Sequence, residues 1–197
     1  MTTVTTDSAD SLSAWITLLL AFSCGLIVAN IYYAQPLIGP ISADLGLPPQ
    51  LAGLLVTMSQ IGYGAGLLLV VPLGDLIENR KLVITTIIIG ALATSPSTFL
   101  ISALLIGFGS VAVQILIPYA GHMAPEAIRG RAVGNVTTGL MLGIMLARPV
   151  ASFVAAHASW HVIYAASALA MVILAVVLRV ALPPREPEAR LSYGQLL

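Results

Sequence analysis

The sequence predicts an all-α membrane protein with six transmembrane helices, and its composition and its charge pattern support this. Hydrophobic residues make up 58% of the 197 residues and charged residues only 8%, whereas a soluble domain averages about 25% charged residues. The mean hydropathy is +1.00. Positive side chains recur in small clusters at regular intervals, and the runs between the clusters are nearly all apolar. A bundle of membrane-spanning helices is therefore expected.

The positive clusters predict the number of spans and their orientation. Residues 82–128 and 132–178 separate the clusters, so each gap has 47 residues. A helix needs about 20 apolar residues to cross the hydrocarbon core, so each gap holds two crossings and a turn. Both termini are therefore cytoplasmic and the number of spans is even, because positive charge accumulates on the inner side. The seven inner charges are Arg80, Lys81, Arg129, Arg131, Arg179, Arg185 and Arg190.

The apolar runs give approximate bounds for the six spans. Residues 1–13 are expected to form a cytoplasmic tail, and residues 183–197 a second tail or the start of a linker to another domain. Ser95-Pro96-Ser97 indicates the outer turn of the third span. Either this span is short, or its turn lies further along the chain than Pro96 indicates. Within the transmembrane domain, residues 14–182, the spans are predicted at about 14–37, 51–73, 82–95, 98–119, 132–155 and 162–182.

Composition also argues against several other classes of protein. The net charge is zero and no basic stretch exceeds two residues, which argues against a nucleic-acid partner. Cys24 is the lone cysteine, so an internal disulfide is excluded. The histidines fall on loops at both sides of the membrane and cannot form one metal site. Neither a metal nor a cofactor is predicted, and the histidines concerned are His122, His157 and His161.

Intramembrane proteases of the rhomboid type also have six spans, but the sequence argues against this enzyme class. Such a protease of the rhomboid type needs Gly-x-Ser-Gly on one helix and a His within another. Here residues 107–110 read Gly-Phe-Gly-Ser, which is the wrong order, and no His lies within a predicted span. The chain is therefore not expected to be an enzyme.

The loop after the second span carries a family resemblance. Residues 71–81 read VPLGDLIENRK and resemble the signature loop between helices two and three of the major facilitator superfamily, which reads roughly G-x-L-x-D-R-x-G-R-R. Four residues match and four depart. The matches are Leu73, Asp75, Arg80 and Lys81, and the departures are Val71, Leu76, Glu78 and Asn79.

Three further segments and a glycine pattern resemble a bacterial branch of this superfamily that exports drugs or metabolites. The segments are residues 30–36 (NIYYAQP), 60–66 (QIGYGAG) and 125–131 (PEAIRGR). Residues 139–149, with Gly139-x3-Gly143 and then Ala147-Arg148-Pro149, resemble the antiporter motif of the family without its Gly-Pro pair.

The resemblance implies a fold and a mechanism. Family members have about twelve spans in two similar six-helix halves with the substrate site between them, and the resemblance covers the amino-terminal half only. It implies that Asp75 latches one state of the alternating-access cycle, although a plain charged loop residue is the alternative. The predicted latch comprises Leu73, Gly74, Asp75, Arg80 and Lys81. In span four, Ala103 stands where drug exporters of the family often carry an Arg.

The helical periodicity of span five predicts two different faces. At about 100° per residue, Gly139, Gly143 and Ala147 fall on one stripe, and small residues at this spacing allow membrane helices to approach closely. Met145 and Arg148 fall on the other side, which we expect to face a central cavity.

Arg148 is the first candidate for function, because a charge inside an apolar run is costly. Asn30 lies at a similar depth in span one, and Tyr33 shares its face, so the three residues are expected to form a polar layer in the outer half of the cavity. In that layer Arg148 would bind an anionic substrate group or influence a protonation event. The alternative is that Arg148 caps helix carbonyls or reaches the outer interface.

Three uncharged polar residues are weaker candidates for the cavity wall. Gln60 and Tyr63 lie in span two, and Gln114 lies in span four. Such side chains join helices to one another about as often as they bind substrate.

These observations lead to two hypotheses for function. The first is a secondary transporter in the bacterial inner membrane that exports a small organic compound by alternating access, linked to protons. The second is a half-transporter that is inactive alone. The expected partners are the lipid bilayer, the substrate, protons as the first candidate for the coupling ion, and a second six-helix half from the same or another chain.

Overall fold

The computed structural model describes residues 13–69 and 88–181, and this part of the chain is helical without strands. Short 3₁₀ turns at Pro49–Leu51 and Glu126–Ile128 precede two of the long helices. The helices are α1 (Ala14–Tyr32), α2 (Ile38–Leu45), α3 (Leu54–Leu69), α4 (Pro96–Ser110), α5 (Ala112–Met123), α6 (Arg129–His157) and α7 (Trp160–Ala181).

Five helical segments among the described residues are long and apolar enough to cross a membrane. The prediction of an all-α membrane protein is therefore confirmed. The first six residues of the third predicted span, 82–87, lie outside the described residues. In the described remainder, residues 88–91 are helical and residues 92–95 are not. The five segments are Ala14–Tyr32, Pro49–Leu69, Pro96–Met123, Glu126–His157 and Trp160–Ala181.

The end of the first span differs from the prediction of residues 14–37. Helix α1 ends at Tyr32, and residues 33–37 form turns. Pro36 has no N–H to donate and disfavours helical geometry in the residue before it, which explains the early end. The loop predicted to follow is partly helical, because α2 fills residues 38–45 and stops at Gly46, whose φ of 65° is left-handed.

The fourth span is divided into two helices, whereas one helix over 98–119 was predicted. Helix α4 starts earlier, at Pro96, because the Ser95 hydroxyl accepts the Thr98 N–H and caps the helix. The division falls at Val111. Just before it the Ser110 hydroxyl donates to the Ile106 carbonyl at 2.7 Å, a contact that competes with the helical ladder.

The second and fifth spans differ from prediction only at their ends. Helix α3 begins at Leu54, after the 3₁₀ turn, whereas the second span was predicted from residue 51. Helix α6 runs from Arg129 to His157, beyond the predicted 132–155 at both ends. Its polar first turn and its last turn stay helical because a membrane helix can extend past the hydrocarbon core.

Helices α1 and α6 run in the same direction and touch through their backbones. A Cβ atom added to Gly139 would lie 2.7 Å from the Ala21 Cα, and one added to Gly143 would lie 2.6 Å from the Gly25 carbonyl carbon. Real Cβ atoms do not approach other atoms so closely, so only glycine fits at these places. We call this contact the α1–α6 seam.

Helices α3 and α4 form a second parallel contact of the same kind. A Cβ on Gly62 would lie 2.8 Å from the Leu104 carbonyl carbon, and one on Gly107 would lie 2.9 Å from the Tyr63 backbone nitrogen. The Ser59 hydroxyl, which is buried in this contact, donates to the Val56 carbonyl of its own helix. We call it the α3–α4 seam.

Aromatic side chains join the ends of two helices, α4 and α7, near α2. The Phe99 ring contacts the rings of Trp160 and Tyr164 edge to face, with centroids 5.4 and 5.5 Å apart. The Trp160 indole N–H donates to Asp44 at 3.0 Å, which fixes α2 against α7. Following the predicted topology, we call this the outer end of the bundle and the end at Ala14 and Arg129 the inner end.

The α1–α6 seam leads to a prediction about stability. Gly143→Ala places a methyl group against the α1 backbone, and overpacking of this kind costs about 1–3 kcal/mol. Gly134→Ala is the matched control on the same helix, because a Cβ there meets nothing within 4 Å. The control is expected to be neutral or stabilising by up to about 1 kcal/mol, since Ala is the better helix former.

The free energy of unfolding in detergent micelles, followed by circular dichroism, measures the difference. Equal stabilities of the two variants would contradict the close approach of α1 and α6.

Candidate functional site

The candidate site lies on the side of α6 that faces away from the α1–α6 seam. Ala147 and Ala151 are buried on the seam side, with 2% and 0% of their surfaces exposed. Met145 is 61% exposed, and Arg148 is exposed beside it. The helix therefore has one face committed to packing and one face open along its whole length. The exposed face carries Thr138, Met141, Met145, Arg148 and Ser152.

Arg148 is held by two side chains at the outer end of α1. Its Nε donates to the Gln35 side-chain oxygen at 2.7 Å. Its guanidinium carbon lies 5.4 Å from the centre of the Tyr32 ring, within the range of a cation–π interaction. Gln35 belongs to the turn that Pro36 imposes, so the end of α1 positions the acceptor for Arg148. These contacts are made to side chains and not to helix carbonyls.

Asn30 and Tyr33 lie elsewhere, which corrects the expectation that they share a polar layer with Arg148. Asn30 is 3% exposed and Tyr33 is 8% exposed, both within the core. The Asn30 amide donates to the Leu26 carbonyl at 3.0 Å, and its oxygen accepts the Ser167 hydroxyl of α7. Asn30 and Arg148 are predicted to lie at a similar depth in the membrane. However, Asn30 and Tyr33 point towards α7 and not towards α6.

Tyr32 and Gln35 are the partners of Arg148 that sequence reasoning did not select. Both stand in the segment 30–36 that carried the family resemblance. Tyr32 is one residue, or about 100°, from Tyr33 around the helix, so the two rings point to different neighbours. Tyr32 could be selected as a partner of Arg148 only if the rotation of α1 relative to α6 were known. The periodicity of one helix does not give that rotation.

The three uncharged candidates divide into a pair and a single residue. The Gln114 amide donates to the Tyr63 hydroxyl at 2.8 Å and joins α5 to α3. Both side chains are half-buried, so this contact serves helix packing and leaves each side chain partly exposed. Gln60 is exposed on α3 without a hydrogen-bonding partner among the described residues.

A recess opens between the inner ends of α1 and α6. Its volume is about 740 Å³, and its wall is apolar apart from a few polar side chains. It reaches from the first turn of α1 to Leu142, just below the open face that carries Arg148. The polar residues in its wall are Thr17, Arg131, Asn135 and Thr138.

Other predicted features lie away from this face or outside the described residues. The three histidines were predicted on loops, but His122, His157 and His161 each lie in an end turn of a helix. All five latch residues, from Leu73 to Lys81, fall in the part of the chain that is not described. Ser110, which stands in the protease-like segment, is fully buried and bonded to its own helix. His161 lies 3.8 Å from Asp44 at the outer end, far along the chain from His122. Residues 13–69 and 88–181 hold no group of three metal-ligating side chains.

The fold and the site define an all-helical, multi-pass membrane protein whose helices are packed through glycine seams. A family model of the Major Facilitator Superfamily matches residues 17–195, nearly the whole chain. The chain belongs to the major facilitator superfamily.

Curated relatives carry names that describe transporters. An uncharacterized transporter of Escherichia coli O157:H7, YgaY, is 40% identical over 144 residues, which are 70% of this chain and 36% of the relative. The probable transporter SCO4007 of Streptomyces coelicolor is 31% identical over 129 residues, 62% of this chain and 30% of the relative. The inner membrane transport protein YnfM of Escherichia coli K12 is 31% identical over 85 residues, 43% of this chain and 20% of the relative. The matches span about a third of the relatives' length or less.

The buried bond between Asn30 and Ser167 leads to a second prediction about stability. Replacing either residue with alanine removes the contact, and replacing both should cost less than the sum of the single changes. The interaction energy from this double-mutant cycle is expected to be about 0.6 kcal/mol and at most about 1.7 kcal/mol, the mean and the maximum measured for hydrogen bonds between membrane helices.

Unfolding free energies of Asn30→Ala, Ser167→Ala and the double variant provide the measurement. Strict additivity of the two single changes would show that the two side chains do not interact.

Proposed function

We propose that this chain is a secondary active transporter of the major facilitator type that exports a small organic compound by alternating access, linked to protons. The observation that carries the proposal is the open face of α6, which presents Arg148 outside the glycine contact of the α1–α6 seam. A helix that commits one face to packing and leaves a charge on the other suits the wall of a pathway. Met145 would line the same wall.

Charge is the main reason to assign this face to a pathway and not to lipid. Ionisable side chains within membrane spans are costly and normally face a bundle interior or a water-filled cavity. The recess lies between the inner ends of the same two helices. A substrate moving between the recess and Arg148 would stay beside α1 and α6 throughout.

The other predicted residues have supporting parts in this proposal. Gln60, with its exposed side chain on α3, and the partly exposed pair Tyr63 and Gln114 are proposed contacts for the polar groups of the substrate. Asp75 is the proposed latch at the inner end of span two, with Arg80 and Lys81 in the same loop. Both the latch and the proton linkage rest on the resemblance to the exporter branch of the family.

The proposed location is the bacterial inner membrane, with both termini in the cytoplasm. Seven of the eight Lys and Arg residues fall on one predicted side, and the named relatives are bacterial.

A second candidate function is a half-transporter that moves nothing by itself. The chain spans 36% of the relative YgaY, and the substrate site of the family lies between two halves. In this case the open face of α6 would have to pair with a second half, from the same or another chain, before a pathway exists.

A transport assay tests the proposal and separates it from the second candidate. Inside-out vesicles that contain the chain are energised by respiration, and a fluorescent amine reports the pH gradient. A panel of small amphipathic compounds is then added, and an exported compound restores fluorescence by consuming the gradient. Arg148→Gln and Asp75→Asn are each expected to lower the rate about tenfold or more, because a charged hydrogen bond contributes about 1.5–3 kcal/mol.

Arg190→Gln, which removes a charge beyond the last predicted span, is the control and should keep the native rate. Fluorescence recovery only when the chain is expressed with the carboxy-terminal half of YgaY would favour the half-transporter. No recovery in either arrangement would contradict both candidates.

Cysteine labelling tests the proposed orientation. Cys24 is fully buried, so the native chain should not react with a membrane-impermeant maleimide and serves as the blank. Ser159→Cys, at the exposed outer turn, should be labelled in intact cells. Gly130→Cys, where an added side chain meets nothing within 4 Å, should be labelled only after the cells are permeabilised. The reverse pattern would invert the orientation.

A further inference from the structure

We propose that Arg148, Tyr32 and Gln35 form a binding site for an oxyanion, and that the compound transported is a small amphipathic acid. This inference rests on the proposed function and adds the chemical class of the substrate and two residues to it. It also commits Arg148 to binding and not to a protonation event.

The geometry of the guanidinium group favours a planar anion. Arg148 carries five N–H donors in a rigid fork, and the Nε donor is engaged by Gln35 at 2.7 Å. The Tyr32 ring lies against the guanidinium carbon. The group is therefore oriented by two contacts that leave the donors of its two terminal nitrogens available. Two parallel N–H groups are the arrangement that binds a carboxylate through both oxygens.

The charge balance around Arg148 favours an anion from outside the described residues. The structure shows no carboxylate within 4 Å of the guanidinium among residues 13–69 and 88–181. A positive charge within a membrane helix is stabilised by pairing with an opposite charge. Gln35 and Tyr32 supply partial negative charge only, so the site keeps a net positive charge that a ligand carboxylate would neutralise.

The surroundings of Arg148 favour a ligand with an apolar part. Met145 lies one turn before Arg148 and Met141 one turn earlier, and both side chains are more than half exposed. Methionine side chains are flexible and polarizable and adapt to irregular apolar ligands. The Tyr32 ring adds an aromatic surface next to the cation. An acid with a compact apolar or aromatic group fits this combination better than a small inorganic anion.

Binding of 4-fluorobenzoate to the purified 197-residue chain tests the inference, followed by fluorine NMR at neutral pH in nanodiscs of phosphatidylcholine. This probe has a planar carboxylate on an aromatic ring, and 4-fluorobenzamide is the uncharged probe of the same shape. The native chain is expected to bind the acid saturably and at least about tenfold more tightly than the amide, because a charged hydrogen bond is stronger than a neutral one.

Substitutions identify the residues that hold the probe. Arg148→Gln should weaken binding of the acid about tenfold or more and leave the amide unchanged. Arg148→Lys should give an intermediate loss, because lysine keeps the charge but not the fork. Tyr32→Leu and Gln35→Ala should each weaken the acid by a smaller factor. Arg190→Gln, which removes a charge beyond the last predicted span, is the control and should bind as the native chain does.

Several outcomes would overturn the inference. The absence of saturable binding by the native chain, equal affinities for the acid and the amide, or native affinity in Arg148→Gln would each do so. Loss of probe binding in nanodiscs that contain phosphatidylglycerol would assign the oxyanion site to a lipid headgroup and overturn its assignment to a substrate. Size-exclusion profiles and helical circular dichroism confirm that each variant is folded, and Arg148 is exposed, so its replacement leaves the core intact.

The inference and the proposed function can fail separately. If the vesicle assay shows export of neutral or cationic compounds and the carboxylate does not bind, the transporter remains and only its substrate class is wrong. If the carboxylate binds and no compound is exported by the chain alone or with a second half, the site is real and the transport function is wrong.

Discussion

The backbone contact between α1 and α6 is the constraint on which the candidate site depends. Apolar side chains do not drive membrane helices together, because lipid tails are as apolar as leucine, so close packing has to provide the attraction. Gly25, Gly139 and Gly143 allow that packing, since a Cβ atom at any of them would overlap the facing backbone. Once these glycines face α1, the rotation of α6 is fixed. Ala147 and Ala151 then turn inwards, and Arg148 must lie on the open side.

The α3–α4 seam repeats the same solution with different residues. Gly62 and Gly107 have no side chain at the contact, so the two backbones can touch there, as they do at Gly25 and Gly139. Both seams join helices that run in the same direction: spans one and five in one case, spans two and four in the other. Each half of a major facilitator transporter consists of two inverted three-span repeats. In this repeat, span one corresponds to span four and span two corresponds to span five. The contact between spans one and five therefore corresponds to the contact between spans four and two. They are therefore equivalent contacts.

The sequence predicted those features that depend on one helix or on composition. The all-α membrane class followed from hydropathy and charge, and Gly139 and Gly143 stood out through their four-residue spacing within α6. Features that depend on two helices were less accessible. Asn30 and Arg148 were matched by depth, yet the rotation of α1 directs Asn30 to Ser167 of α7. The division of span four at Val111 was also missed, because the apolar run that predicts this span continues across it.

The end of α1 also shapes the candidate site, because two side chains there contact Arg148. Tyr32 is the last residue of α1, and Gln35 lies in the turn after it. If the helix continued to residue 37, the regular rotation of about 100° per residue would set the direction of the Gln35 side chain. In the turn, the Gln35 side-chain oxygen accepts a hydrogen bond from the Arg148 Nε. Tyr32 is still part of the helix, and its ring contacts the guanidinium group. Pro36, which makes the turn, therefore shapes the surroundings of Arg148 without touching it.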